Sequence, residues 1–135
     1  MPTAVIIDDE PHNRDTLGKM LERQCPQVLV VGKVCGVQSG IVMIRDLQPD
    51  LVFLDLNMAD GSGFDLLHAL SSVNFRVIFV SAMDKDMIRA FRLSSIEFLL
   101  KPVSPDELKS AVERVMKSEM KHFKLQLQAL EENVG

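Results

Sequence analysis

The sequence predicts an α/β domain built on a parallel β-sheet, and three observations point to it. Short apolar runs recur at regular intervals, segments of helical length separate them, and most runs are continuous rather than alternating, as in strands buried on both faces. Five such runs occupy residues 4–7, 28–31, 51–54, 77–80 and 98–100. Alternation of strand and helix repeated five times implies right-handed crossovers in one sheet, although it leaves the strand order open.

The segments between the runs carry apolar residues at helical spacing, so each is predicted to bury one helix face. The apolar sets are Leu17, Met20 and Leu21; Ile41, Ile44 and Leu47; Phe64, Leu67 and Leu70; and Met87, Ile88 and Phe91. A fifth helix has the clearest start, because Ser104-Pro105-Asp106-Glu107 combines an N-cap serine, a proline at the first helical position and a capping-box glutamate.

The fifth helix is expected to be unusually long. Its apolar pattern continues past Val115 through positions spaced four, three, four and three residues apart, namely Met116, Met120, Phe123, Leu127 and Leu130. We therefore divide the chain into a domain of residues 1–117 and a segment of residues 118–135, interpreted as an extension of the last helix, a linker or a dimerisation segment. Two readings stay open: a helix packed on the domain, or a coiled-coil-like pairing over barely two heptads.

Composition sets further bounds on the function. The chain has 135 residues, of which 47% are hydrophobic and 25% charged, and its net charge is −4. This composition suits one folded domain, and the acidic balance argues against nucleic-acid binding by this segment. Neither Cys25 nor Cys35 lies in a metal-binding or redox motif, so both are expected to be free thiols. With no predicted membrane span or signal peptide, a cytoplasmic protein without membrane contact is expected.

Polar residues follow four of the predicted strands at the point where each strand ends. The first strand leads into Asp8, Asp9 and Glu10, the third into Asp55, the fourth into Ser81 and the fifth into Lys101. Ligands of open α/β sheets bind outside the carboxyl ends of the strands, so these side chains are expected to share one site.

The chemistry of this set is restrictive. Carboxylates brought close together repel one another unless a cation lies among them, and Mg²⁺ prefers such oxygen ligands. A carboxylate can also attack phosphorus and form an aspartyl-phosphate, while an ammonium and a hydroxyl neutralise or bond the phosphoryl oxygens. The residues therefore predict a Mg²⁺-dependent phosphoryl-transfer site that contains Asp55, Lys101 and Ser81.

In this order along the chain, the residues resemble the receiver (CheY-like) domain of two-component response regulators over about residues 3–117. The matching stretches are Ile7-Asp8-Asp9-Glu10, Pro49-Asp50-Leu51-Val52-Phe53-Leu54-Asp55, Asp60-Gly61-Ser62-Gly63-Phe64, Val80-Ser81-Ala82 and Leu99-Leu100-Lys101-Pro102-Val103. The resemblance implies a flavodoxin-like, doubly wound sheet of five parallel strands in the order 2-1-3-4-5 with five helices, the last one extended.

The resemblance also implies a role for each site residue. Asp55 would accept a phosphoryl group from a histidine kinase or phosphotransfer protein, and Ser81 and Lys101 would bond its oxygens. The implied Mg²⁺ ligands are Asp8, Asp9, Asp55 and the backbone carbonyl of Asn57. Ser81 and Phe98 would form the switch, and Pro102 follows a peptide bond that is often cis in the family.

More narrowly, Asp8-Asp9-Glu10-Pro11, Ala90-Phe91 and Phe98-Leu99-Leu100-Lys101-Pro102-Val103 are similar to receivers of LytTR-type transcription regulators. In those regulators a DNA-binding domain follows the receiver, so DNA would be contacted only through a domain absent from this chain. A truncated transcription regulator is favoured over a stand-alone receiver that acts by protein–protein interaction, and a homodimer is conceivable.

Two other classes of function compete with the signalling switch. A phosphatase that uses an aspartyl-phosphate needs an acid–base carboxylate two residues after the nucleophile, where this chain has Asn57. A receiver-like module that no longer takes phosphate would not need the complete polar set. We therefore expect no enzyme beyond a receiver that catalyses its own phosphorylation and dephosphorylation. His12, His68 and His122 lie on different predicted elements and are interpreted as surface residues.

Overall fold

The computed structural model describes residues 1–134 as strands and helices that alternate along the chain. The strands are β1 (Thr3–Ile7), β2 (Leu29–Val34), β3 (Leu51–Leu54), β4 (Asn57–Met58), β5 (Gly61–Ser62), β6 (Arg76–Ser81) and β7 (Phe98–Leu100). The helices are α1 (Pro11–Gln24), α2 (Val37–Leu47), α3 (Gly63–Ala69), α4 (Lys85–Ser94), α5 (Pro105–Lys117) and α6 (Met120–Val134).

Five of the strands form one parallel sheet in the order β2-β1-β3-β6-β7. The two remaining strands, β4 and β5, pair antiparallel in a small hairpin between β3 and α3. When this hairpin is left out of the numbering, the sheet has the order 2-1-3-4-5. The doubly wound, flavodoxin-like fold implied by the resemblance is therefore confirmed.

Helices cover both faces of the sheet, which explains why the central strands are continuously apolar over residues 4–7, 51–54 and 77–80. On one face, α1 and α5 pack over β1, β3 and β6 through residues such as Leu21, Leu108 and Val112. On the other face lie α2, α3, α4 and α6, which pack through residues such as Ile41, Leu66 and Phe91. All of β3 is buried, as expected for a strand covered by helices on both faces.

The prediction of a single long C-terminal helix is wrong, because the helix ends at Lys117 and a sixth helix begins at Met120. Ser118 leaves the helical conformation, with φ −77° and ψ 148°, and its hydroxyl donates to the carbonyl of Val115 at 2.9 Å. The Arg76 guanidinium, at the start of β6, donates from Nε to the Ser118 carbonyl at 3.1 Å. These contacts stabilise the turn that redirects the chain.

The second helix of this pair packs on the domain, as one of the two readings of the sequence predicted. Phe123, Leu127 and Leu130 are 3%, 7% and 0% exposed and join the core on the α4 side. Burying such side chains stabilises the fold by about 1.5–3 kcal/mol each, which a helix projecting into water would forgo. Hydrophobic burial therefore explains why the chain bends after α5 instead of continuing straight.

Both cysteines are free thiols, as the sequence predicts: Cys25 is buried and Cys35 is exposed. Within residues 1–134, none of the helices is long and apolar enough to cross a membrane.

The docking of α6 predicts an asymmetric response to alanine substitution along the helix. Leu130→Ala should lower the free energy of unfolding by about 2–5 kcal/mol, because it opens a cavity in a fully buried site. Leu125→Ala is the matched control, since Leu125 lies on the same helix but is 59% exposed, and it should change stability by less than about 0.5 kcal/mol. Urea unfolding followed by circular dichroism measures both, and equal, small effects would contradict the docked position of α6.

Candidate functional site

The sheet register brings the predicted polar residues to one edge. Ile7 pairs with Leu54, so Asp8 and Asp55 follow two neighbouring strands at the same level. Leu54 also pairs with Phe79, and Ser81 pairs with Leu100, which places Ser81 and Lys101 at the same edge. The juxtaposition predicted from the strand ends is therefore present in the structure.

Asp55 lies at the centre of the cluster, and its carboxylate accepts hydrogen bonds from three donors. The Ser81 hydroxyl donates to Oδ1 at 2.7 Å, and the Asn57 backbone N–H approaches the same oxygen at 3.3 Å. The Lys101 ammonium donates to Oδ2 at 2.9 Å. The residue is only 5% exposed, so these donors replace much of the water that an isolated carboxylate would bind.

Lys101 joins two carboxylates. Its Nζ lies 2.8 Å from Asp8 Oδ2 and 2.9 Å from Asp55 Oδ2. Burial by itself would lower the pKa of the Lys101 ammonium, but the hydrogen bonds and negative charges of Asp8 and Asp55 outweigh that effect and raise the pKa above its ordinary value. Lys101 is therefore a permanent positive charge at this edge at neutral pH.

Three carboxylates at this edge could hold a metal ion. One oxygen from each of Asp8, Asp9 and Asp55 lies within 4.8 Å of the others. With Lys101 as the nearby cation, three negative charges and one positive charge leave a formal excess of two negative charges. A divalent ion with a preference for carboxylate oxygen would balance that excess, so the donor set fits Mg²⁺.

Sequence reasoning missed the contacts that position Asp8. Arg14, in the first turn of α1, donates from Nη1 to the Asp8 backbone carbonyl at 2.7 Å. The backbone N–H of Glu10 donates to Asp8 Oδ1 at 2.9 Å. An arginine six residues after an acid gives no recognisable signal in the sequence, because the contact depends on how α1 leaves the β1 loop.

The loop after Asp55 is fixed to α2 by Asp60. Its two carboxylate oxygens accept hydrogen bonds from the backbone N–H groups of Val37 and Gln38, at 2.8 and 3.1 Å, at the start of that helix. These bonds lower the pKa of the Asp60 carboxyl below its ordinary value. The carboxylate thus satisfies two donors that an α-helix leaves unpaired at its N-terminus.

The same loop meets α3 at a point with no room for a side chain. A Cβ atom on Gly63 would lie 2.7 Å from the Asp55 backbone carbonyl oxygen. The Gly63 N–H donates to the Leu56 carbonyl at 3.0 Å, which closes the loop directly after Asp55. Glycine is therefore required where α3 begins beside Asp55.

A chain of aromatic rings extends from the core below the cluster to Phe98. Ring centroids are 5.6 Å apart for Phe64 and Phe79, 5.0 Å for Phe79 and Phe91, and 5.4 Å for Phe91 and Phe98. Phe98 is half-buried at the start of β7, against α4. The peptide bond between Lys101 and Pro102 is cis.

The three histidines do not belong to this cluster. His12, His68 and His122 are all exposed, as the sequence predicted. His68 instead lies 3.2 Å from Glu131 of α6, measured from Nε2 to Oε1.

The fold and the cluster define a class of protein, and comparison with known families identifies it. Residues 4–113 match the family described as response regulator receiver domain. The chain therefore belongs to the response regulator receiver family, as the resemblance implied.

Individual relatives agree with this assignment. The chain is 40% identical over 118 residues to an uncharacterized response regulatory protein of Vibrio parahaemolyticus, covering 87% of the chain and 48% of the relative. It is 32% identical over 116 residues to the sensory transduction protein LytT of Enterococcus faecalis, covering 84% and 48%. The chain thus spans about half the length of these curated relatives.

A solved structure gives the same result. The signal receiver domain of the response regulator NarL from Mycobacterium tuberculosis superposes with a TM-score of 0.74 at 28% identity, covering 87% of this chain and 98% of that one.

The contact between Asp60 and α2 predicts a pH-dependent stability difference between wild type and Asp60→Asn. Because the folded-state pKa is lowered, the contribution of Asp60 is present above the unfolded pKa of about 3.9 and is lost as pH falls through the folded pKa. Wild type should be the more stable protein at pH 7, and the difference should shrink below about pH 4. Urea unfolding at a series of pH values from 7 to 3 measures this stability difference. Glu22→Gln is the control, because Glu22 is an exposed acid on α1. A difference between wild type and Asp60→Asn that does not change with pH would contradict the role given to Asp60.

Proposed function

We propose that this chain is a phosphorylation-dependent signalling switch, in which Asp55 accepts a phosphoryl group from a histidine kinase or a phosphotransfer protein. The observation that carries the proposal is the environment of Asp55: a buried carboxylate that is bonded by Ser81 and Lys101 and lies beside two further acids. The receiver unit is proposed to comprise residues 1–117.

The chemistry follows from the groups around the acceptor. A carboxylate oxygen of Asp55 attacks phosphorus, the bond from phosphorus to the donor's nitrogen or oxygen breaks, and the donor leaves with the electron pair. Ser81 Oγ and Lys101 Nζ, which now bond the two carboxylate oxygens, transfer their hydrogen bonds to the phosphoryl oxygens. Two donors placed before the reaction stabilise the charge that the new group brings.

Asp8, Asp9, Asp55 and the backbone carbonyl of Asn57 are the proposed Mg²⁺ ligands. When bound, the ion supplies positive charge that offsets the phosphoryl oxygens and the acids around them. Asn57 lies beside the other ligands, since its backbone N–H is 3.3 Å from Asp55 Oδ1, and the part of its carbonyl rests on the family resemblance.

The output is proposed to depend on Ser81 and Phe98. Ser81 ends β6 and Phe98 begins β7, and residues 79–81 pair with residues 98–100 in register. A change in the hydrogen bond made by Ser81 would therefore act directly on the strand that carries the aromatic ring. Two conformations of this region with different affinities for a partner would make the phosphoryl group a signal.

The partner that reads the signal is proposed to be an output domain outside these residues, with transcription regulation as the function. The resemblance of Asp8–Pro11 and Phe98–Val103 to LytTR-type transcription regulators supports this reading. The similarity to a sensory transduction protein of about twice the matched length agrees with it. A receiver that acts by protein–protein interaction without a DNA-binding output is the alternative. Purification of the full-length protein and a DNA-binding assay with and without phosphodonor would separate the two.

Phosphate should be retained on wild type and lost in Asp55→Asn when the protein is incubated with Mg²⁺ and acetyl phosphate. Asp50→Asn is the matched control, because Asp50 lies at the other end of β3, where its carboxylate accepts a hydrogen bond from the Thr3 N–H. Intact mass spectrometry should show about 80 Da added to wild type and to the control, since one carboxyl group gains a net HPO₃ when it becomes an acyl phosphate. Removing Mg²⁺ with EDTA should abolish the addition; labelling of Asp55→Asn would reject Asp55 as the acceptor.

Lys101→Met should bind Mg²⁺ more tightly than wild type while it loses an interaction with phosphate. In the wild type, the ammonium already occupies one oxygen each of Asp8 and Asp55 and repels a second cation. Removing about 1.4 kcal/mol of such repulsion would tighten binding roughly tenfold. Titration followed by amide NMR shifts measures the affinity; weaker binding by the variant would show that Lys101 supports the ion instead of competing with it.

A further inference from the structure

The turn between α5 and α6 interrupts a sequence pattern that is itself uninterrupted. Met116, Met120, Phe123, Leu127 and Leu130 keep the spacing of four and three residues across the turn, and Val134 extends it by four more. Residues 117–121 contain neither glycine nor proline. Nothing in the local sequence therefore prevents α5 and α6 from forming one straight helix.

Most contacts that hold α6 in its docked position are tertiary; the local one is the bond from the Ser118 hydroxyl to the Val115 carbonyl. Arg76 bonds the Ser118 carbonyl at the turn. Gln126 Nε2 donates to the Ser95 carbonyl at 3.2 Å, and Asn133 Nδ2 donates to Ser94 Oγ at 3.0 Å, so the polar contacts of α6 with α4 gather at the C-terminal end of α4. The apolar stripe supplies the remaining contact with the core.

A straightened helix would expose the apolar stripe, which then needs a partner of matching pattern. A stripe with spacings of three and four is the seam of a coiled coil, and it is complementary to a second copy of itself. In a parallel pair with Met120 and Leu127 at the a positions, Glu119 occupies a g position and Lys124 the e position of the next heptad. These residues carry opposite charges and would face each other between the two copies.

We propose that α6 has two positions: docked against α4 within one molecule, or continuous with α5 and paired with α6 of a second copy. Residues 116–134 provide barely two heptads of pairing surface, so a dimer formed through them is expected to be weak and dependent on concentration. The second copy is the occupant that the pattern and the charges favour.

The choice between the positions is linked to the site through two elements. Strand β6 carries Arg76, which bonds the turn, at one end and Ser81, which bonds Asp55, at the other. Helix α4 begins four residues after Ser81, and its last residue and C-cap bond Asn133 and Gln126. This part of the inference rests on the proposed function: phosphorylation of Asp55 releases α6 and favours the paired position.

Glu119→Pro separates the two positions. Ser118 already has the extended backbone that a residue before proline prefers, so the docked turn accepts the substitution. A continuous helix does not, because proline inside a helix removes a hydrogen bond and clashes with the preceding turn. Glu119→Gln is the matched control, since it removes the same charge but permits a straight helix.

Two variants loosen the docked position without touching Asp55. Arg76→Met removes the clamp on the turn, and Ser118→Ala removes the bond to Val115 and favours helix at the turn. Losing a charge-assisted hydrogen bond shifts such an equilibrium on the order of tenfold, and Arg76→Met should strengthen dimerisation by at least that factor. Ser118→Ala keeps the test valid if Arg76→Met folds poorly.

Sedimentation velocity over a concentration series tests the inference, with phosphorylation of each sample measured by intact mass. Arg76→Met or Ser118→Ala should dimerise more strongly than wild type without phosphodonor, and adding Glu119→Pro to either should restore the monomer. Phosphorylated wild type and Glu119→Gln should dimerise, whereas phosphorylated Glu119→Pro should not.

The possible failures are distinct. Loosened variants as monomeric as wild type, or dimers that persist with Glu119→Pro, would overturn the two positions of α6. Wild type that carries phosphate yet stays monomeric would overturn the link to Asp55 and leave the proposed function standing. Absence of any phosphate on wild type would overturn the proposed function. Arg76→Met and Ser118→Ala would still show whether α6 has two positions.

Discussion

Repulsion among the carboxylates at one edge of the sheet is the constraint on which the surrounding structure depends. Asp8, Asp9 and Asp55 approach within a few ångströms because parallel strands end at the same level. Such an arrangement is stable only with compensating charge and donors, and Lys101 and Ser81 supply them from two other strand ends. Lys101 and Ser81 thus reduce the repulsion but leave an excess of negative charge, which a divalent ion could neutralise.

Part of the site could be predicted from the residues that follow each strand. Asp8, Asp55, Ser81 and Lys101 could be placed together because every parallel strand delivers its last residue to one edge, whatever the details of packing. The positions of Arg14 and Asp60 could not be predicted in this way. Arg14 reaches back over a helix turn, and Asp60 bonds a helix 23 residues away in the chain. Both contacts depend on loop conformations that no periodicity records.

The C-terminal segment shows a second kind of limit. An apolar stripe with spacings of three and four describes a surface that must be covered, but it does not say whether the cover is the same molecule or another one. One contact that fixes the turn, between Arg76 and the Ser118 carbonyl, joins residues 42 apart and has no local signature. The helix start at Ser104, by contrast, was predictable because capping involves only neighbouring residues, and Ser104 does accept from the Glu107 N–H.

The tight approach of α3 to the Asp55 backbone has a consequence for how the chain can vary. Ala59 is exposed in the turn between β4 and β5, so side chains of many shapes can be accommodated there. Gly63 lies only four residues further on, and there the Asp55 carbonyl excludes even a methyl group. Mutational tolerance in this loop is therefore set by distance from the Asp55 backbone. Gly63 contributes no side chain to the cluster, yet steric exclusion alone closes its position to substitution.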